Sequence, residues 1–492
     1  MGVSHASSTK SHSETEDDRR LRERIRENPG PALRWAAGMF LLFIAEAGAL
    51  FQTIGRLLVA VTENLPGTPG VETANWLAWK AQTVPTLLSR ETIPNQGHWN
   101  GSEWVGTFAG LEPAQAWGLR LALIYLYGCL FVLALWYGYL TYRSAYRTMD
   151  WTPRDDQLRR LRHNNWGMFG LTVVILFLIM AAFAPAMSPT TIDQNIQEPY
   201  SYEISYWNDD LGQVSTILVG DANFQSVSKG NPSQNVGIMQ SDDFGRFHPF
   251  GTMNNGKDLF TIIAFGSRIS LFIGVTAISI AGTIATLLAL ATAYFKGLAD
   301  LTVVLVSDSI QSVPSLMLLI AAGYLFSDTW VATLYDGAVL LALLFALIYW
   351  PGMWRAIRGP SFQVAQEEWV DAARSYGQRP LRLMRTHMLP YIMGYLLVYA
   401  SMSFAGVIIS TAGLSFIGFG INAPTPSWGR AINAGQPFVA QASWHISLIP
   451  GILITILCVG FNALGDGIRD AIDPESDTDP GEGEGGAAGG GA

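Results

Sequence analysis

The sequence predicts an all-α integral membrane protein. Three observations carry that expectation. The 492-residue chain is 49% hydrophobic and only 14% charged. Its apolar residues gather in long runs close to the roughly 20 residues that a helix needs to span a bilayer. Basic and acidic connecting segments alternate between those runs, as a multi-pass topology requires.

Eight runs qualify as spans, at roughly 35–60, 115–140, 166–187, 262–294, 300–326, 331–355, 390–416 and 444–466. The first is the weakest, because Glu46, Gln52 and Arg56 interrupt it. A signal peptide with Ala45-Glu46-Ala47 as its cleavage signal is the alternative, and the 34 residues before the run are long for that role. Cys129 and Cys458 both lie inside apolar runs, which marks them as inert thiols rather than a disulfide or a metal pair. In the fourth run Ala277, Ala281 and Ala285 form a small-residue ridge for close helix packing, and Arg268 lies near its outer end. In the fifth run Asp308, Gln311, Ser312 and Ser315 fall at i, i+3, i+4 and i+7, a single helix face that should avoid lipid. That face either lines a pore or subunit contact, or serves as polar glue between helices.

Orientation follows from Lys and Arg. The leader before Trp35 carries Lys10, Arg19, Arg20, Arg22, Arg24, Arg26 and Arg34, and the segment after the second run carries Arg143, Arg147, Arg154, Arg159, Arg160 and Arg162. Both are expected in the cytoplasm. The 188–260 stretch is rich in Asp and Glu and is expected outside. Counting spans alternately then puts the polar 356–389 loop, and both termini, in the cytoplasm.

That loop reads as a helix–turn–helix. Gln363 to Tyr376 are good helix formers, Gly377 can take the left-handed position past a helix end, and Pro380 suits the first turn of a second helix. Leu381, Met384 and Met388 recur at helical spacing, and Leu389-Pro390 is expected to close this second helix. Ala372 and Ala373 are small enough for a partner to approach the backbone.

Several chemistries are disfavoured. Gly251-Thr-Met-Asn-Asn-Gly256-Lys257-Asp258 has the spacing of a phosphate-binding loop, but Asp258 stands where Ser or Thr should bind Mg²⁺, and no strand precedes it. No metal-ligand spacing or nucleophile elbow is present in the sequence, so neither an enzyme nor a metal site is expected. The net charge of −9 argues against nucleic acid as a partner. With a pI near 5.3 and an acidic, Gly-rich tail, it fits a high-salt habitat, where charge repulsion is screened.

Motifs from 246 to 474 resemble one family. They are His248-Pro-Phe-Gly-Thr252, Gly256-Lys-Asp-Leu-Phe260, Gly266-Ser-Arg-Ile-Ser-Leu271 and Arg358-Gly359. The loop Glu368-Trp-Val-Asp-Ala-Ala-Arg-Ser-Tyr-Gly377 with His387-Met-Leu-Pro390 follows. Then come Ala412-Gly-Leu-Ser-Phe-Ile-Gly-Phe-Gly420, Pro424-Thr-Pro-Ser-Trp-Gly429, Asn462-Ala-Leu-Gly-Asp-Gly-Ile-Arg-Asp470 and Asp473-Pro474. In order and spacing they resemble the "C" permease subunits of the dipeptide, oligopeptide and nickel branch of binding-protein-dependent ABC importers.

The resemblance implies a six-helix permease core plus two extra N-terminal transmembrane helices. Its layout is a basic, disordered leader (1–34), an extension with two spans (35–150), a first core helix with an extracytoplasmic segment (151–245), the permease domain (246–474) and a disordered tail (475–492). It further implies a multi-pass plasma-membrane subunit that is not itself an enzyme. Its partners would be a second homologous permease subunit, two ABC ATPase subunits that bind ATP and Mg, and an extracytoplasmic solute-binding protein; this chain would hold no cofactor of its own. Glu368, Asp371, Ala372, Ala373, Gly377, His387, Leu389 and Pro390 would couple to the ATPase through the cytoplasmic EAA loop. Pro424, Pro426 and Trp428 would meet the binding protein, with Trp428 as a rigid anchor. The chain departs from the family in its first 150 residues, in Asp371 where Glu is usual, and around Thr386 and Tyr391. The expected solute is a dipeptide or oligopeptide, with nickel or another small solute as the alternative. A proton-coupled carrier relaying through Glu46 and Asp308 is the more distant rival.

Overall fold

The computed structural model describes residues 21–49, 86–147 and 151–472, with scattered residues between 51 and 80. The acidic tail and the first 20 residues lie outside them. Among the described residues six helices are long and apolar enough to cross a membrane, or seven if one sharply bent pair counts as a span.

The leader departs from expectation. Helix α1 (Leu21–Glu27) is ordered where disorder was predicted, and α2 (Pro29–Ala45) begins at a proline, whose missing N–H suits a first turn. Arg24 donates to the Tyr146 carbonyl at 2.6 Å and the Ala32 N–H donates to the Tyr146 hydroxyl at 2.9 Å, so the leader is tied to the far end of the next helix. With 17 residues, α2 is shorter than the predicted span, and the rest of that run lies partly outside the described residues. Helix α3 (Pro113–Ala145) is the extension's full-length span.

The core follows. The basic helix α4 (Pro153–His163) leads into α5 (Asn165–Met187). An outer layer holds the hairpin β1 (Glu203–Asn208) and β2 (Gln213–Leu218), helix α6 (Val219–Gln225) and the short pair Gln240–Ser241 with Phe247–His248. Helix α7 (Leu259–Phe295) then runs 37 residues, about 55 Å at 1.5 Å per residue. It packs along α10 (Ala338–Val364). Ala277, Ala281 and Ala285 are fully buried, as are Ala338 and Ala342 of α10, so the predicted ridge lies inside the bundle.

Between these two helices the predicted span at 300–326 is broken. It consists of α8 (Gly297–Gln311) and α9 (Ser315–Leu325), bent by 85°. Pro314 is the cause: it has no N–H for the helix ladder and biases Val313 away from helical angles.

Helix α11 (Glu368–Ser375) and the continuous α12 (Pro380–Phe416) follow, then the short α13 (Trp428–Gly435) and α14 (His445–Ile472). Helices α5 and α14 touch backbone to backbone. A Cβ on Gly170 would lie 2.3 Å from the Leu464 nitrogen and 2.5 Å from the Gly460 oxygen, so only glycine fits.

The extension is part of this packing. Trp117 and Ile124 of α3 join Ile179, Phe247 and Phe260 in a second apolar cluster. The Trp117 indole donates to the Met187 carbonyl at 2.8 Å. The buried Arg120 guanidinium donates to the carbonyls of Ile93 at 2.8 Å and Ser188 at 3.1 Å, joining extension to core at the end of α5.

Candidate functional site

The inner loop is built from two faces. Helix α11 starts at Glu368, later than the Gln363 start expected, because α10 continues to Val364. Its inward side is fixed: Val370 is fully buried, as are Leu383 and Met388 of α12, and all three belong to the main core cluster. Gly377 ends α11 with φ +74°. The Gln378 N–H donates to the Ala373 carbonyl (3.2 Å) and the Gly377 N–H to the Arg374 carbonyl (3.0 Å), the paired bonds of a Schellman cap.

The outward side is bare. Glu368, Asp371 and Ala372 are exposed, and so are Trp369, Tyr376 (92%) and Leu381 (73%). Ala373 is half-buried. Asp371 faces Arg374 at 3.6 Å, and Arg374 lies over the Tyr294 ring at the inner end of α7, 4.8 Å from its centroid. His387 packs on Trp369 with ring centroids 5.8 Å apart, joining the two arms of the loop.

Leu389-Pro390 does not close the second helix, contrary to expectation. The chain is helical from Pro380 to Phe416 through one π turn, Met384–Met388. Pro390 cannot donate to the carbonyl four residues back, and the wider turn takes up that missing bond without a break.

The predicted polar face is not one face. Asp308 and Gln311 lie on α8, Ser312 follows it, and Ser315 opens α9 beyond the 85° bend. Asp308 pairs with Arg355 of α10, and Asp300 accepts from Arg358 Nε at 2.8 Å. The Gln311 side-chain amide donates to the Ser307 hydroxyl at 3.2 Å and the Ser312 hydroxyl to the Ser309 carbonyl at 2.8 Å. These contacts bind α8 to itself and to α10. Glu46 is buried in the extension, where it accepts from the Leu88 N–H at 3.2 Å.

At the outer end Pro424 is exposed but Pro426 and Trp428 are buried. Trp428 donates to the Ile263 carbonyl at 2.8 Å, and a Cβ on Gly266 would sit 2.7 Å from its indole. It is therefore a core residue that locks α13 onto α7, and the expectation of a surface anchor is corrected. The sequence signal misleads because Trp serves both roles, and the matching slot is opened by a glycine distant in the chain.

Sequence reasoning missed the network beneath the outer layer. Asp258 caps α7, accepting from the Thr261 N–H and hydroxyl, each at 2.7 Å. Its other oxygen lies 2.9 Å from His248 Nδ1, and His248 Nε2 lies 3.4 Å from Asp242. Arg246 donates to Asp242 at 2.7 Å. Burial alone would push the His248 imidazole down, but the Asp242 and Asp258 carboxylates outweigh it and raise it above its ordinary value. The Asp258–Thr261 spacing at the head of an apolar run was the legible signal. Within the rejected phosphate-loop motif, Gly256 passes so near Asn223 that a Cβ would lie 1.6 Å from its carbonyl oxygen.

A bundle of helices long and apolar enough to cross a membrane, with an exposed helix–turn–helix at one end, is the architecture of an integral membrane protein. Two family patterns match. That of the binding-protein-dependent transport system inner membrane component covers residues 265–477, and that of the N-terminal transmembrane domain of oligopeptide transport permease C covers residues 152–204. The chain is 33% identical over 248 residues to a putative peptide transport system permease protein of Brucella suis biovar 1, covering 50% of this chain and 80% of that one. It is 28% identical over 324 residues to the dipeptide transport system permease protein DppC of Alkalihalophilus pseudofirmus, covering 66% and 90%. It is 29% identical over 324 residues to the glutathione transport system permease protein GsiD of Escherichia coli O6:K15:H31, covering 66% and 91%. The chain belongs to the binding-protein-dependent transport permeases, as a C-type subunit of the dipeptide and oligopeptide branch. It is a multi-pass membrane permease subunit of an ABC importer, and it is not itself an enzyme.

Proposed function

We propose that this chain forms half of the translocation pathway of a peptide importer and receives its driving force through the α11–α12 loop. The carrying observation is the division of that loop into a buried inner face and an exposed outer face. Val370, Leu383 and Met388 fix its position on the bundle, while Ala372, Trp369, Tyr376 and Leu381 stay uncovered. A small residue flanked by large exposed apolar ones fits a partner surface that approaches the helix backbone closely. The partner is a cytoplasmic ABC ATPase that holds the ATP and Mg. A second permease subunit completes the pathway, and an extracytoplasmic binding protein delivers a dipeptide or oligopeptide, the solutes that the relatives' names give. Both termini lie in the cytoplasm of a plasma-membrane subunit.

The test is co-purification of the ATPase subunits with the wild-type chain and with Ala372→Arg. Loss of the ATPases from a variant that stays monodisperse supports the reading; full retention with normal ATP-driven peptide uptake sinks it.

A further inference from the structure

Beside the outer ends of α7 and α13 lies a cavity of about 380 Å³. Lys257, the last residue but one before α7, and Arg430 on α13 both line it, together with Asn254, Asn255, Pro424 and Pro426. Both cations are half-buried. Both donate to backbone carbonyls: Lys257 Nζ reaches the Ile196 oxygen at 3.5 Å, and Arg430 Nη1 the Thr425 oxygen at 3.0 Å. Among the described residues no Asp or Glu lines the cavity, although the chain has 39 acidic residues against 30 basic ones. Two like charges are thus held in one recess without a carboxylate, an arrangement that favours binding of an anion. Burial, and then the charge of Arg430, lowers Lys257 below the ordinary lysine range; burial likewise lowers Arg430.

We propose that Lys257 and Arg430 form an anion site in this cavity that receives the free carboxylate of the solute. This rests on the importer reading and names the part of a peptide that the cavity recognises. Asn254 and Asn255 add polar groups at the same recess, and Pro424 and Pro426 restrict the backbone on its α13 side. Arg offers a planar pair of N–H donors to a carboxylate, and Lys adds a point charge. Asp258, the residue after Lys257, is held by His248 and by the Thr261 N–H, which fixes the backbone beside the recess.

The test uses the full chain with Cys129 and Cys458 changed to Ser and Asn254→Cys as the single thiol. Labelling by an anionic methanethiosulfonate is compared with labelling by a cationic one. A positive recess favours the anionic reagent by roughly tenfold. The preference should fall several-fold with either Lys257→Gln or Arg430→Gln. Millimolar trialanine should slow labelling, and trialanine amide should not. Equal rates for the two reagents, or equal protection by peptide and amide, overturn the proposal. So does protection by the binding protein without any by free peptide, which would assign the recess to protein docking. These readouts need no transport. Peptide uptake by the assembled complex is measured separately, so a failed importer reading is distinguishable from a failed anion site.

Discussion

Replacing Gly377 by Val tests the coupling loop at a position where the structure separates conformation from packing. Gly377 has φ +74°, and a Cβ there would meet nothing within 4 Å. The penalty is therefore one of backbone conformation alone. An L-residue in the left-handed region costs about 1–2 kcal/mol, with a β-branched side chain at the upper end. That is roughly a 5- to 30-fold shift against the capped turn. The two bonds that cap α11 ahead of α12, Gln378 to Ala373 and Gly377 to Arg374, are the ones lost. The core seams are untouched, so the purified Gly377→Val chain should melt within a few degrees of wild type. ATP-driven uptake should fall several-fold, with ATPases detached or hydrolysing without transport. Gly377→Asn, which tolerates positive φ, should recover most of the loss. Coupled uptake at the wild-type rate by Gly377→Val, with ATPases bound, would refute the reasoning.

Other outcomes follow from packing and charge. Gly429→Ala drives a Cβ to 2.0 Å from the Ala412 carbonyl oxygen, an overpacking cost of about 1–3 kcal/mol or more, visible as a lower melting temperature in detergent. Because the His248 pKa is raised, its stabilisation is full below about pH 6.5 and is lost as pH rises through the higher folded value. The depressed Asp242 works oppositely, stabilising above about pH 4 and failing as pH falls through its folded value. Limited proteolysis of the 188–258 segment should accelerate on both sides of that window, and His248→Gln should remove the alkaline limb. Deleting residues 1–150 uncovers Phe247 and Phe260 and removes the Arg120 bonds, so abundance should drop. Transport per assembled complex should persist; a fully assembled but inactive truncation would make the extension part of the mechanism.

The helical class, the long core spans and the turn at Gly377 were legible, because apolar run length and glycine's left-handed freedom act locally. The inner loop's residues were named from the family motif they resemble, and their division into two faces needed the bundle. Trp428 was misjudged because its burial depends on Gly266, more than 160 residues away. The bend at Pro314 was present in the sequence but masked by the hydropathy on both sides. Pro390 was read as a stop because a π turn leaves no mark that composition can show. The His248 network joins residues spread from 195 to 261, and only its Asp258 cap had a local signature.

The length of α7 has a mechanical consequence. At about 55 Å it exceeds the roughly 30 Å hydrocarbon thickness, so one stiff rod is gripped at both ends. Arg374 of the coupling loop lies over Tyr294 at one end, and Asp258 anchors the other beside Lys257. A tilt of about 10° around the midpoint would move each end by about 5 Å, in opposite directions. Displacement of the loop would thus be felt at the cavity by leverage, with no relay of intermediate contacts. Spin labels at the two ends of α7, each paired with a reference on α14, would detect this as opposed distance changes on ATP binding. A shift at the inner end alone would show the rod bending instead.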